Sequence, residues 1–286
     1  MSVPIFSPGN ALVQLLLTLV ALMCFAATPA SAEQLPLWEA GAGIGAARIP
    51  HYRGSDEYQT WALPVPYLVY RGEFLRVDES RYRGLFYESG RAELDLSLSG
   101  TPPAHDDKAR QGMPDLDATF EFGPTLNISL LDTQRSQEKL ELRLPVRSVI
   151  ATDFSHYRQS GWIFQPNLNL ALRNVPGLSS WELGLRGDLI FTSRRYNRYF
   201  YAVDPAFATP DRPAYDVGGG YAGTTLLVSL SKRYPDFWLG GFAKWDSVGG
   251  ATFEESPLVK TKYNFTAGFA FAWILSVSPE KVDGKR

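Results

Sequence analysis

Thr119-Phe120-Glu121-Phe122-Gly123-Pro124-Thr125-Leu126-Asn127-Ile128-Ser129-Leu130 sets Phe120, Phe122, Pro124, Leu126, Ile128 and Leu130 against Thr119, Glu121, Gly123, Thr125, Asn127 and Ser129 at every second position. Successive side chains leave a pleated chain on opposite faces, so a period of two means a strand, whereas a helix would repeat near 3.6. Working outward, Leu140, Leu142, Leu144 and Val146 oppose Lys139, Glu141, Arg143 and Arg147. Trp162, Phe164, Pro166, Leu168, Leu170 and Leu172 oppose Gln165, Asn167, Asn169 and Arg173, and Trp181, Leu183, Leu185, Leu189 and Phe191 oppose Glu182, Arg186, Asp188 and Thr192. Shorter alternation places Leu94, Leu96 and Leu98 opposite Glu93, Asp95 and Ser97, and Leu226, Val228 and Leu230 opposite Thr225 and Ser229. From Tyr263 to Leu275 an aromatic face opposes Asn264, Thr266, Gly268, Ala270 and Ala272, which predicts a crowded interior.

Two architectures use such strands: a soluble sandwich or barrel with its apolar face inside, or a membrane barrel with that face outside. Length favours the membrane. Soluble strands run about 5 to 6 residues, a tilted bilayer crossing needs about 9 to 11, and several of these segments are longer still. Trp38, Trp61, Trp162, Trp181, Trp238 and Trp273 fall near segment ends, where interfacial girdles lie. Strands are expected near residues 37–49, 60–70, 73–79, 82–88, 91–100, 117–131, 137–151, 161–173, 180–193, 220–233, 236–247 and 258–276. That is an all-β, antiparallel transmembrane barrel of twelve strands, or ten if 73–88 is arranged differently. Tight connections at 71–73, 89–90, 132–136, 174–179 and 234–236 alternate with longer ones near 50–59, 101–116, 152–160, 194–219 and 248–257, with one short exception near residue 80. Short periplasmic turns and long external loops are the habit of barrels in the Gram-negative outer membrane, whose lipid would be the first partner.

Upstream, the apolar run Ala11 to Ala27 is broken only by Gln14 and Thr18 and leads to Ala30-Ser31-Ala32, a small-x-small cleavage pattern. The expectation is a signal peptide over 1–32, a single barrel domain over 33–286, and a polar periplasmic tail at 277–286. The alternative is a retained anchor, since the first ten residues carry no Lys or Arg. Cys24, the single cysteine, excludes an intramolecular disulfide and a multi-cysteine metal centre. With 28 Lys+Arg against 30 Asp+Glu, the chain has no basic surplus for a nucleic-acid partner. The Pro-rich stretch Asp204 to Pro213 lies inside a loop and marks no second domain.

The three histidines are His51, His105 and His156. His51 with Ser55, and His156 with Ser160, are four apart near loop edges and share a face if the strand continues, but solvated loop residues are the plainer reading. There is no Gly-x-Ser-x-Gly elbow. His105-Asp106-Asp107 offers cation ligands or simply a polar loop. Gly41, Gly43 and Gly45 have the look of a nucleotide loop, yet no helical pattern follows, so close strand packing accounts for them. Asn127-Ile128-Ser129 and Asn264-Phe265-Thr266 match glycosylation acceptors but sit in mid-strand. No catalytic residue, cofactor site or metal ligand is assigned. The lumen-facing candidates are Glu93, Asp95, Glu121, Lys139, Glu141, Arg143, Glu182, Arg186 and Asp188, all on the polar parity of their strands. Both signs occur, so they either line a narrow aqueous path or cross-pair into a plug, and the limited bore of a barrel this size favours an occupied interior.

His51-Tyr52-Arg53-Gly54-Ser55-Asp56, then Pro64-Val65-Pro66-Tyr67-Leu68-Val69-Tyr70-Arg71-Gly72, Tyr199-Phe200-Tyr201-Ala202-Val203, Ala214-Tyr215-Asp216-Val217-Gly218-Gly219-Gly220 and Glu255-Ser256-Pro257-Leu258-Val259 follow one another in an order and spacing that resemble the MipA/OmpV family. The similarity runs from about Leu37 to Leu275. The resemblance implies a non-enzymatic outer-membrane barrel, sometimes named MltA-interacting protein, that scaffolds a murein lytic transglycosylase and a bifunctional penicillin-binding synthase in peptidoglycan turnover. Other members are general, porin-like or adhesive proteins; the inward charges keep a narrow pore as the second reading, and a lipid-modifying hydrolase, an activity found among membrane barrels, is the third. The family brings no catalytic set, and this chain departs from common outer-membrane practice by ending on the polar Ser276 to Arg286 rather than on an aromatic. A periplasmic partner could touch only the tight turns, residues 33–36 and the tail. A standard interface buries about 1,600 Å², so the contact is expected to be transient and to use the tail and the turn at 174–179.

Overall fold

The alternating segments become strands because each can pair its backbone while sending one face outward. The computed structural model describes residues 34–71, 75–78, 81–84, 87–133, 138–175 and 177–283, and the expected signal peptide lies outside them. Its elements are β1 (Gln34–Pro36), β2 (Trp38–Pro50), β3 (Tyr58–Arg71), β4 (Leu75–Asp78), β5 (Arg81–Gly84), β6 (Tyr87–Ser89), β7 (Ala92–Thr101), β8 (Ala118–Thr133), β9 (Glu138–Thr152), β10 (Tyr157–Phe164), β11 (Asn167–Val175), β12 (Leu178–Thr192), the helix α1 (Arg194–Tyr201), β13 (Gly220–Arg233), β14 (Phe237–Ser247), β15 (Tyr263–Val277) and β16 (Lys281–Asp283). Two 3₁₀ turns, Lys108–Arg110 and Pro205–Phe207, lie in the loops.

Neighbouring strands run β5-β4-β3-β2-β15-β14-β13-β12-β10-β9-β8-β7-β6, with β11 continuing β10 between β9 and β12. The two ends of this path meet, because β5 lies against β7. Counting β10 with β11, and β5 with β6, as single interrupted strands gives twelve wall strands among the described residues. The strand expected at 161–173 starts earlier, at Tyr157, and breaks at Gln165-Pro166. Pro166 has no N–H for the ladder, and its carbonyl accepts from Leu189 N instead. The last wall strand starts at Tyr263 rather than near 258, because Lys260 N and Thr261 N are bonded to Gly54 O in the external loops.

The faces are inverted relative to a water-soluble protein. Ile44, Leu98, Phe120, Leu126, Leu168, Leu189, Leu226, Phe269 and Leu275 are exposed, while Asp95, Glu121, Thr125, Asn127, Glu141, Arg147, Asp188, Thr225, Asp246, Asn264 and Thr266 are buried. Charged side chains seldom fill an interior while leucines cover a surface, unless that surface meets hydrocarbon. A closed wall also pairs its own backbone groups, as hydrocarbon requires. Trp162, Trp245 and Tyr263 stand exposed toward the outer rim and Trp273 toward the inner rim. Trp61 and Trp238, expected in the girdles, belong to the inward parity. Trp238 packs on Tyr67 beside Val69 and Ala272, filling the periplasmic end of the lumen above Gly240.

The tail does not hang free. Val277 ends β15, and β16 pairs with β1 through Gln34↔Asp283, Leu35↔Val282 and Pro36↔Lys281. Leu37 N to Glu280 O (2.9 Å) and Ser278 N to Trp38 O (2.8 Å) fasten this small sheet below the wall.

Candidate functional site

Inward parity brings the charged residues of separate strands into one bonded chain. Arg147 on β9 donates through Nε to Glu121 Oε2 (2.9 Å), through Nη2 to Gln165 Oε1 (2.5 Å) and through Nη1 to Ser97 Oγ (3.3 Å). Gln165 Nε2 donates to Asp188 Oδ1 (2.9 Å), and Asp188 Oδ2 accepts from Arg186 Nε (3.1 Å) and Thr225 Oγ1 (2.6 Å). Nearer the periplasm, Glu141 meets Arg143 at 2.5 Å and Lys139 at 2.6 Å, and Asn127 Nδ2 donates to Asp95 (3.0 Å). Among the sequence candidates, then, Asp95, Glu121, Glu141 and Asp188 are buried and Glu93, Lys139, Arg143 and Arg186 half-buried. Glu182 instead pairs with exposed Arg173, 3.0 Å away.

Other participants escaped the sequence reading. Glu39, fully buried on β2, takes Arg233 Nε at 2.6 Å from the non-adjacent β13 and Arg71 Nη2 at 2.8 Å from β3. Asp246 takes Lys244 at 3.0 Å and Arg53 at 3.2 Å. Arg147 stands on the polar face with Lys139, Glu141 and Arg143 in the sequence itself, though outside the lumen-facing candidates, but the Glu39 cluster spans strands that parity cannot relate.

The external loops fold into a cap rather than standing open. Tyr52, Phe200, Tyr201, Val217, Val248 and Phe253 form its apolar core, continuous with Val149, Ile163 and Ile190 of the wall. Tyr201 and Phe253 stack at 3.6 Å between ring centres. Sequence-distant segments are tied together: Tyr52 OH donates to Leu258 O (2.7 Å), Ser256 Oγ to Tyr201 O (2.6 Å) and Tyr201 OH to Arg53 O (3.0 Å). Buried Arg110 donates to Phe200 O and Pro114 O, and Arg212 to Ala109 O, Gln111 O and Phe207 O. Burial pushes the Tyr52, Tyr196 and Tyr201 hydroxyls well above the ordinary tyrosine value and pulls the Arg110 guanidinium down. The segments whose order suggested a family are largely the ones this cap joins.

The histidine and serine pairs do not assemble a nucleophile. Ser55 Oγ donates to Asp107 Oδ2 (2.8 Å), which also meets His51 Nδ1 (3.0 Å), so the carboxylate stands between hydroxyl and ring where a base should be. Exposed His156 pairs with Asp153, while Ser160 donates to Arg158 O. His105 turns to Asp115, away from Asp107. Of the described residues, His51, Glu57 and Asp107 are the group that could hold a metal, their ligand atoms lying within 4.8 Å of one another. Protein donors already use these carboxylates. Asp107 accepts from Ala109 N and Ser55 Oγ, and Glu57 takes Lys108 through its backbone N and its Nζ, which holds the Glu57 carboxyl below its ordinary value. The group latches loop 51–57 to loop 102–117.

A family model described as MltA-interacting protein MipA matches residues 42–275. No curated protein matches the chain. Among solved structures, the chain is similar to the COG4313 outer membrane channel from Pseudomonas putida F1, with 13% identity, 87% of this chain and 99% of that chain covered, and a TM-score of 0.34. It is also similar to the outer membrane protease OmpT from Escherichia coli (9% identity, 87% and 96% covered, TM-score 0.26) and to the P. putida toluene transporter TodX (9%, 88% and 69%, TM-score 0.26). None of the three superposes closely enough to carry an argument about this chain.

Proposed function

Because the chain belongs to the MltA-interacting protein MipA family, we propose that this outer-membrane barrel is non-enzymatic and works as a scaffold, presenting its periplasmic face to a murein lytic transglycosylase and a penicillin-binding synthase. The observation that supports it is the β1–β16 sheet. Among the described residues the outer edge of β16 has no strand partner, whereas on β1 Pro36 lacks an N–H and its carbonyl accepts from Arg71 Nη1 (2.7 Å); the tie to Trp38 and Leu37 holds the β16 edge in place. A partner strand can add main-chain hydrogen bonds there, supplementing the little area that the turns offer. Capture of a lytic transglycosylase by the folded full-length chain in detergent tests this. Val282→Pro, which removes one ladder N–H, should weaken capture about tenfold, equivalent to about 1.4 kcal/mol, with the heat-dependent gel shift of the barrel unchanged. Undiminished capture after deleting residues 278–286 would remove the sheet from the account.

A narrow pore is the second reading, favoured by the polar interior. Steady conductance that changes on Glu121→Gln or Arg186→Gln would support it over the scaffold. The cap and the cross-paired charges stand against it.

A further inference from the structure

The ladder between β10 and β12 is short: it pairs Ile163↔Thr192 and Phe164↔Phe191, and beyond it Ser193 N donates to Trp162 O (3.1 Å) where α1 begins. β12 stops at Thr192, while β10 continues outward along β9 to Tyr157. Beside this gap Trp162, Phe164, Phe191, Arg194 and Gly219 border a cavity of about 600 Å³. A second cavity, of about 780 Å³, shares Trp162 and Phe164 and extends to Phe122, Pro124 and Val146. Both volumes lie within the about 300–1,000 Å³ typical of ligand sites. Phe122, Val146 and Trp162 are exposed outward residues, so the joined groove faces lipid.

Three prolines explain why the wall leaves this space. Thr125, next to Pro124, pairs with Pro145, and Pro145 O accepts from Gln165 N next to Pro166. The prolines therefore stand side by side in consecutive strands, each without a ladder donor. Ladder pairs between β8 and β9 are also missing from Phe122↔Ser148 to Thr125↔Pro145.

The groove is apolar along its length and basic at its outer end. Arg194 is 61% exposed and shares Asp216, itself 58% exposed, with Arg198, which keeps that carboxylate paired when Arg194 is drawn away. Arg195, the next residue of α1, does not border the groove but is exposed beside Arg194 and donates to the neutral amide oxygen of Gln159 at 2.7 Å. Trp162 marks the level at which indoles meet lipid headgroups. We propose that the groove holds one phosphorylated acyl glycolipid of the outer leaflet, with an acyl chain along Phe122, Val146, Trp162 and Phe164 and a phosphate on Arg194 and Arg195. A phosphate suits the planar guanidinium fork, and an exposed ion pair such as Arg194–Asp216 is readily exchanged for it.

The test uses the folded full-length chain in phosphatidylcholine nanodiscs containing either a bis-phosphorylated hexaacyl disaccharide lipid or its dephosphorylated form, with retained lipid counted by native mass spectrometry. The wild type should retain one phosphorylated molecule, with roughly tenfold preference over the dephosphorylated form. Arg194→Gln with Arg195→Gln should abolish that preference, Phe164→Ala should lower retention of both forms, and Arg173→Gln, at the far rim, should change nothing. If the double variant does not fold, Arg195→Gln alone should still reduce the preference several-fold. Equal retention of the two lipids by the wild type, or an undiminished preference without both arginines, would overturn the proposal and leave ordinary boundary lipid.

Discussion

Arg147 shows what a single inward charge contributes. Removing a buried cation leaves its carboxylate uncompensated, so Arg147→Met should destabilise the barrel by about 3–5 kcal/mol, and adding Glu121→Gln should recover part of the loss. Urea unfolding in detergent, followed by tryptophan fluorescence, measures both. The cap titrates from two sides. Lys108 holds Glu57, the Val217 backbone N–H and then Arg194 hold Asp216, and Lys262 holds Glu254 below the ordinary carboxylate value. Their stabilisation is therefore present above the unfolded carboxylate value and lost as pH falls through the lower folded ones. Raised tyrosine values act oppositely: above about pH 10, unfolded tyrosines release protons that buried Tyr52 and Tyr201 retain, and the cap weakens. Protection factors of residues 199–203, which remove the intrinsic pH dependence of exchange, should fall at both extremes, and a flat profile would contradict this assignment. Parity sorts one strand at a time, so it singles out residues such as Glu121 and Asp188, both buried in the structure. Glu39 was not legible, because its partner Arg233 lies on β13, which no local pattern relates to β2.

At the scale of elements, long strands were readable because lipid contact enforces alternation over many residues. Interruptions were less so: Pro166 keeps the apolar parity while breaking the ladder, and residues 258–262 are held by the cap although they precede a strand. The helix α1 was missed altogether. Its sequence, Arg194-Arg195-Tyr196-Asn197-Arg198-Tyr199-Phe200-Tyr201, is too short to be stable alone and persists because Phe200 and Tyr201 are buried in the cap. Ser193 starts it by accepting from Tyr196 N and also accepts from Trp162 N of the wall. Ser193→Ala should cost about 1 kcal/mol and loosen the rim beside Trp162, seen as faster exchange of the Trp162 amide. The alternate glycines of β2 were rightly read as close packing. A methyl on Gly43 would come within 2.5 Å of Ala272 Cα, so Gly43→Ala should destabilise the closed wall by about 1–3 kcal/mol in the same urea assay.

Across the whole molecule, lumen and cap together make a barrel closed by its own side chains. Planar bilayers holding the intact chain should stay electrically silent, whereas replacing residues 195–217 with a short glycine linker should admit current. Steady conductance of the intact chain would show that the cap opens. Location was legible in the sequence because it is a property of every strand; occupation depends on a partner's shape, which no periodicity records. The clasp of β1 with β16 joins the two extremes of the described chain, and contacts so distant along a polymer form late. It continues the seam between β2 and β15, so under the proposed scaffold role a murein enzyme that gripped it would greet barrels whose first and last long strands are joined and pass over those still being threaded into the bilayer.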